Sequence, residues 1–266
     1  MRPVDVDFIR AIAQRRAGLA MEGDRLYFVE SRLTPIARRE GAATVRALVD
    51  TMRAAPEERL EIAVTEALAA GDSQFFRDRT VFARLRDWLE QGAADQPLRV
   101  LCVGCGAGQE AYSIALTADR DEVEVVGLDL CSDLIEKARS GLYTQFEVQR
   151  GLPIRSLLAH FEKQDEAWRV SPRLRQRVRF ERANLVEGLI DVGRFDLVLC
   201  RYVLPALTEG ARHVAVQALS ARLAPAGQLV LSPGETAEIP GLHIVDEAMG
   251  WHAAGRSAKT GAAAAA

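Results

Sequence analysis

The 266-residue chain is 48% hydrophobic and 27% charged, with 34 basic and 37 acidic side chains, a net charge of −3. This balance excludes a generic nucleic-acid binder, whose surface would be broadly basic, and a disordered chain, which lacks the apolar content to fold. No apolar run reaches the roughly 18 residues of a membrane-spanning helix, and the length predicts one large or two unequal domains.

The N-terminus, MRPVDVDFIRAIAQRR, has early acids and no apolar stretch, so it is not read as a signal peptide. Residues 1–90 hold 15 basic and 15 acidic side chains and read as all-helical. Phe8, Ile9, Ile12 and Ala13 make one apolar stripe; Leu26, Phe28, Val29, Leu33 and Ile36 make a second, with Arg25, Arg32, Arg38 and Arg39 mostly off it. Gly41 can end that helix in the left-handed position. A third helix is expected from Thr44 to Ala54. A fourth should run to Ala70, with Pro56 in its first turn. Gly71 and Asp72 break the pattern, Val81–Trp88 is amphipathic again, and Gln91–Pro97 reads as a linker.

From Leu98 the pattern alternates. Leu98–Val103, Val123–Asp129, Val178–Leu185, Phe195–Arg201 and Gln228–Ser232 read as strands. Gln109–Ala118, Ser132–Ser140 and Glu209–Leu223 read as helices between them. Such βα alternation predicts an α/β fold, a parallel sheet covered by helices. Charge also changes along the chain. Residues 91–147 hold 4 basic and 10 acidic side chains, residues 148–182 hold 9 and 4, and residues 183–266 hold 6 and 8. The basic cluster falls within Thr144–Arg177, which interrupts the rhythm and reads as an inserted subdomain. It is either a patch with its own task or a solvated arginine-rich face. The terminal GAAAAA is low-complexity and is expected to be disordered. Cys102, Cys105, Cys131 and Cys200 are too few for a disulfide framework, so a reducing cytoplasm is the expected setting. Cys102 and Cys105 have metal or redox spacing, but Cys102 belongs to an apolar strand and no second pair exists, so a structural role is expected and no metal. The four histidines are scattered, and Trp251 and His252 are not placed in any element.

VGCGAG (Val103–Gly108) joins the first strand to a helix. Gly104, Gly106 and Gly108 let the backbone turn tightly and approach a ligand. The spacing is G-x-G-x-G, not the G-x-G-x-x-G of dinucleotide sites. Asp129 ends the second strand, where a carboxylate can bond ribose hydroxyls. Together they point to a nucleoside site and favour S-adenosylmethionine over NAD. The alternative is a tight turn beside a solvated aspartate.

Phe75–Asp78 (FFRD), Gly108–Ala115 (GQEAYSIA), Ile135–Tyr143 (IEKARSGLY), Phe180–Leu185 and Cys200–Leu204 (CRYVL) occur in an order and spacing that resembles the CheR-type chemotaxis receptor methyltransferases, from about Phe8 to about Glu235. That family uses S-adenosylmethionine to methylate receptor glutamates. The resemblance implies an N-terminal all-α receptor-recognition domain (1–90) and a Rossmann-like methyltransferase domain (91–255). It also implies a small inserted antiparallel β-subdomain (about 148–182), with 256–266 as tail. Arg77 then resembles the arginine reaching into the cofactor and substrate site, and Glu110 the acid near the methionine ammonium. Asp129 resembles the ribose ligand, and Asn184 with Leu185 the adenine-side contact. Arg201 and Tyr202 sit at the mouth where the methyl leaves. Ser73 and the three glycines complete the implied cofactor set, with Arg77, Arg201 and Tyr202 as the implied catalytic group.

The chain departs from the family in two stretches. Ala69, Ala70, Gly71, Asp72 and Ser73 stand where the family has Thr-Thr-Asn-Glu-Thr. Arg201 to Leu207 (RYVLPAL) stands where it has Arg-Asn-Val-x-Ile-Tyr-Phe, so Tyr202 replaces asparagine and Ala206 replaces tyrosine. Losing one oriented polar group at an active site costs about 10²–10³ in rate. The alternative reading is therefore a weak or inactive paralogue that acts by binding. Between Phe161 and Val170 the insert (EKQDEAWR) is short and lacks glycine, unlike members that dock a receptor's C-terminal peptide. Contacts with the cytoplasmic signalling domain of receptors are then expected from Arg25, Arg32, Arg38 and Arg39, with the basic insert steering. A monomer is expected, with no nucleic-acid partner and no membrane insertion.

Overall fold

The computed structural model describes residues 1–21, 26–91, 97–118, 122–189, 192–235 and 237–254. The terminal segment 256–266, most of the expected linker and Arg25 lie outside them. Four helices lead: α1 (Pro3–Ala17), α2 (Leu26–Arg39), α3 (Val45–Ala54) and α4 (Glu58–Ala69). Each end has a local cause. The Thr44 hydroxyl caps α3 by accepting the Ala47 N–H. After α2 the chain turns at Gly41 (φ 70°), and the Ala42 N–H reaches back to the Ala37 carbonyl at 2.8 Å. Pro56 lies one residue ahead of the N-cap Glu57, outside the first turn of α4.

The rest builds a sheet: α5 (Arg79–Gln91), β1 (Leu98–Val103), α6 (Gln109–Thr117), β2 (Val123–Asp129), α7 (Ser132–Ser140), β3 (Leu142–Thr144), α8 (Gln145–Gln149), α9 (Ile154–His160), β4 (Phe161–Gln164), β5 (Ala167–Val170), α10 (Pro172–Arg175), β6 (Val178–Arg182), β7 (Phe195–Cys200), α11 (Glu209–Ala221), β8 (Leu223–Val230), β9 (Leu242–Asp246) and β10 (Trp251–Ala254). The large sheet has the order β6-β2-β1-β7-β8-β10-β9. Its first five strands are parallel, and β10 pairs antiparallel with both β8 and β9. The strand order reverses at β1, so the crevice beyond the ends of β1 and β7 is where such sheets bind ligands. A separate antiparallel sheet, β3-β5-β4, interrupts the alternation. It begins at Leu142, ahead of residue 148, and ends at Val170. Val178–Arg182 instead pairs with β2, because Val178 and Phe180 are buried in the large sheet.

Alternate residues of β1, β2 and β7 feed two cores, as the period of a pleated strand requires. Leu101, Val103, Val126, Leu128 and Val198 join one continuous apolar cluster with α1–α4 and α11. Val100, Cys102, Val125, Leu197 and Leu199 face the other way and join α5, α6 and the insert. α1–α4 therefore do not form a self-contained unit; their core continues into one face of the sheet. At roughly 25 cal/mol per Å² of buried apolar surface, that shared face binds the helices to the sheet more strongly than a surface contact would.

Candidate active site

A cavity opens at the carboxyl ends of β1, β2 and β7. Its wall includes Ser73, Arg77, Gly104, Gly106, Glu110, Asp129, Asn184, Leu185, Arg201 and Tyr202, so these implied site residues come together. Gly108 does not line it. A Cβ there would sit 2.9 Å from Ala138 Cβ and 3.0 Å from Phe180 Cζ, so Gly108 serves close packing beneath the loop.

The glycine loop is tightly held. Gly104 has φ 71°, and a Cβ on it would lie 2.3 Å from Val203 Cγ2. Gly106 has φ 55° and donates its N–H to Asp129 Oδ2 at 2.8 Å. Asp129 Oδ1 accepts the Cys131 N–H at 2.9 Å. The carboxylate thus ties the end of β2 to the loop after β1, and each oxygen keeps a lone pair for a further donor. Burial pushes the Asp129 carboxyl above the usual range, while the two backbone N–H groups oppose this. From below, the Tyr143 hydroxyl of β3 donates to the Ala107 carbonyl at 2.7 Å. The inserted sheet therefore supports the loop.

At the mouth, the buried Arg201 guanidinium bonds the Glu110 carboxylate and the Asp78 carboxylate, and donates to the Arg77 carbonyl at 3.1 Å. Burial, the largest single influence, would lower the Arg201 pKa; the Glu110 charge and hydrogen bond together with the Asp78 charge outweigh it and raise the pKa. Tyr202 donates its hydroxyl to Asp78. Asp72 pairs with Arg150, which holds its carboxyl below the ordinary value.

The opposite wall holds residues the sequence did not single out. Ala17 and Leu19 line the cavity from the end of α1. Leu19 forms an antiparallel bridge with Leu207. The Ala20 N–H donates to the Ala206 carbonyl and the Thr208 N–H to the Gly18 carbonyl, both at 2.8 Å. The Asn184 amide donates to the Arg16 carbonyl at 2.8 Å, so it anchors α1 as well as lining the cavity. Asp78 was also missed. Only Gly18, a helix-ending glycine, could have hinted at this wall, and nothing in its type points to a ligand.

A tight glycine loop in register with a half-buried, backbone-bonded aspartate suits the nucleoside part of S-adenosylmethionine, and Glu110 suits a cation. The sequence model of the family described as "CheR methyltransferase, SAM binding domain" matches residues 71–249. The chain belongs to this family. It is an S-adenosylmethionine-dependent methyltransferase by that membership. Among its relatives, the chemotaxis protein methyltransferase Cher2 of Pseudomonas putida is 27% identical, covering 87% of this chain and 90% of that one. A chemotaxis protein methyltransferase of Vibrio parahaemolyticus is 27% identical over 86% and 88%. The probable biofilm formation methyltransferase WspC of Pseudomonas aeruginosa is 28% identical over 85% of this chain and 50% of its own length. Cys102, Cys105, Cys131 and Cys200 are all free and buried, and burial raises each thiol pKa. No group of His, Cys, Asp and Glu able to hold a metal occurs among the described residues. Among them no helix is long and apolar enough to cross a membrane.

Proposed function

We propose that this methyltransferase transfers its methyl group to glutamate side chains in the signalling domain of chemoreceptors, in the cytoplasm. The observation that carries the reading is Arg77. It lines the cavity mouth, yet none of the ion pairs among the described residues involves it. A cation held at the mouth without a close ion pair among the described residues suits an incoming carboxylate.

S-adenosylmethionine supplies an electrophilic methyl on a positively charged sulfur. A glutamate, with an ordinary pKa of about 4.3, is already an anion at neutral pH and needs no general base. The protein has to place it in line and exclude water, and such positioning is worth up to about 7–11 kcal/mol. In this reading Gly104, Gly106 and Asp129 seat the nucleoside, with Asn184 and Leu185 at the base. Glu110 faces the methionine ammonium, Ser73 closes the near side, and Arg77 and Tyr202 receive the acceptor. Arg201 holds Glu110 and Asp78 in place. Receptor recognition falls to α2, where Arg38 is exposed and Arg39 pairs, among the described residues, with neighbouring Glu40. The short β4–β5 turn fits recognition without docking of a C-terminal peptide.

The test is transfer of radiolabelled methyl to purified receptor signalling domains. Base-labile label on the receptor is the expected result. Calorimetric binding of S-adenosylhomocysteine with no transfer to any receptor would overturn the substrate assignment.

A further inference from the structure

Among the described residues, the non-glycine positions with left-handed backbone are Phe76 (φ 48°), Asp78 (59°), Asp165 (51°) and Tyr202 (62°). Asp165 belongs to the turn between β4 and β5. Of the other three, Asp78 and Tyr202 meet beside Arg77 at the mouth of the cofactor cavity, while the Phe76 ring packs against Phe82. Phe76 and Asp78 flank Arg77, and Tyr202 lies beneath it. Such backbone is a genuine outlier for an aromatic residue and persists only where surrounding contacts over-determine it.

Those contacts are present. The Tyr202 N–H donates to Ser232 Oγ at 2.7 Å, and its phenol donates to Asp78. Asp78 is itself held by the buried Arg201, which also grips the Arg77 carbonyl. The outcome is a stack: the Arg77 guanidinium carbon lies 3.6 Å from the centroid of the Tyr202 ring. The only hydrogen bond of that guanidinium, among those of the described residues, is a long one to the Asp72 carbonyl at 3.4 Å. Ring and guanidinium are therefore located, while the donor edge stays open. The family pattern has asparagine at position 202, a residue at ease in left-handed backbone, and its tyrosine at position 206. Here the ring has moved to 202 and Ala206 lines the same cavity.

We propose that Tyr202 and Asp78 are positioning residues: the Tyr202 ring, fixed by Asp78, is the seat that holds Arg77 with its donors turned toward the acceptor's carboxylate. This rests on the reading that the acceptor is a receptor glutamate. It makes Tyr202 a determinant of acceptor affinity.

Two variants separate the parts. Tyr202→Phe keeps the ring and drops the hydroxyl; Tyr202→Asn keeps the left-handed backbone and drops the ring. In protein labelled with ¹⁵N-arginine, the Arg77 side-chain N–H signal should be ring-shifted in the wild type and in Tyr202→Phe, and unshifted in Tyr202→Asn. For the receptor domain, KM should rise about tenfold in Tyr202→Asn, in keeping with a partly desolvated guanidinium–ring stack. It should rise less in Tyr202→Phe. Both variants should keep the wild-type far-ultraviolet circular dichroism and a single unfolding transition, which shows that they are folded. An Arg77 signal at the same position in wild type and Tyr202→Asn, or a wild-type KM in Tyr202→Asn, overturns the proposal. If the wild type binds the cofactor product and transfers no methyl to receptor, the receptor reading fails, and the ring shift still decides the Tyr202–Arg77 seat.

Discussion

Asp129 uses each carboxylate oxygen on a backbone N–H before any ligand arrives. Its first task is to hold the glycine loop in shape, and the ribose contact is built on that. Asp129→Asn can satisfy only one of the two N–H groups and turns an amide donor toward the other. It should weaken S-adenosylhomocysteine binding about ten- to a hundredfold, the worth of a hydrogen bond to a charged group. Calorimetry reads this directly. Gly104 is constrained in another way. Gly104→Ala would need both a left-handed alanine and a Cβ 2.3 Å from Val203 Cγ2. It should cost about 1–3 kcal/mol of stability, measured by urea unfolding, and cofactor binding should fall with it.

At the scale of elements, the fold could be read where one face was buried and the period was clean. Leu98–Val103 and Val123–Asp129 stand out as apolar runs because both faces of a central parallel strand are covered. Leu242–Asp246 and Trp251–Ala254 went unread. β9 is a half-exposed edge strand with no alternation, and β10 is defined by pairing to distant β8. The site was legible to the same degree. The loop and Asp129 carry a local signal, whereas Leu19 and Asp78 acquire their place only through packing. The N-terminus of α1 makes the helix bundle sensitive to acid. Asp5 is fully buried and accepts from Arg2 at 2.9 Å and from Arg53 of α3 at 2.6 Å. The Arg2 bond holds its carboxyl well below the usual range. A carboxyl lowered by folding adds stability above its unfolded pKa of about 4, and that stability is lost as pH falls below it. Unfolding monitored from pH 6 to pH 3 should therefore show stability falling toward the acid end, and Asp5→Asn should flatten the trend. On the next helix, Arg38→Glu combined with Arg39→Glu should weaken receptor binding at low salt, where surface charge is least screened. Equal affinity would remove α2 from the receptor face.

At the scale of the whole molecule, one apolar cluster runs from α1–α4 through a face of the sheet to α11. Calorimetry should therefore show a single unfolding transition rather than separate helical and sheet transitions. Ligand should shift all of it. At a hundred times its Kd, S-adenosylhomocysteine adds about 2.7 kcal/mol, or about 5–10 °C in Tm for a chain this long. The net charge of −3 hides opposing stretches: residues 148–182, which span the later part of the insert and the strand after it, are basic, while residues 91–147, which carry the glycine loop and Asp129, are acidic. An acidic partner would be drawn toward the basic stretch and away from the cofactor loops.

The bridge between Leu19 and Leu207 joins strands of chain 188 positions apart. During synthesis Leu19 leaves the ribosome well ahead of Leu207 and has to wait for its partner. Helices α1–α4 can form meanwhile, but their apolar sheet-facing side stays uncovered until β7 and the Leu207 segment emerge. The cofactor cavity is thus closed only after residue 207 has emerged, and the nascent enzyme cannot hold its cofactor before then.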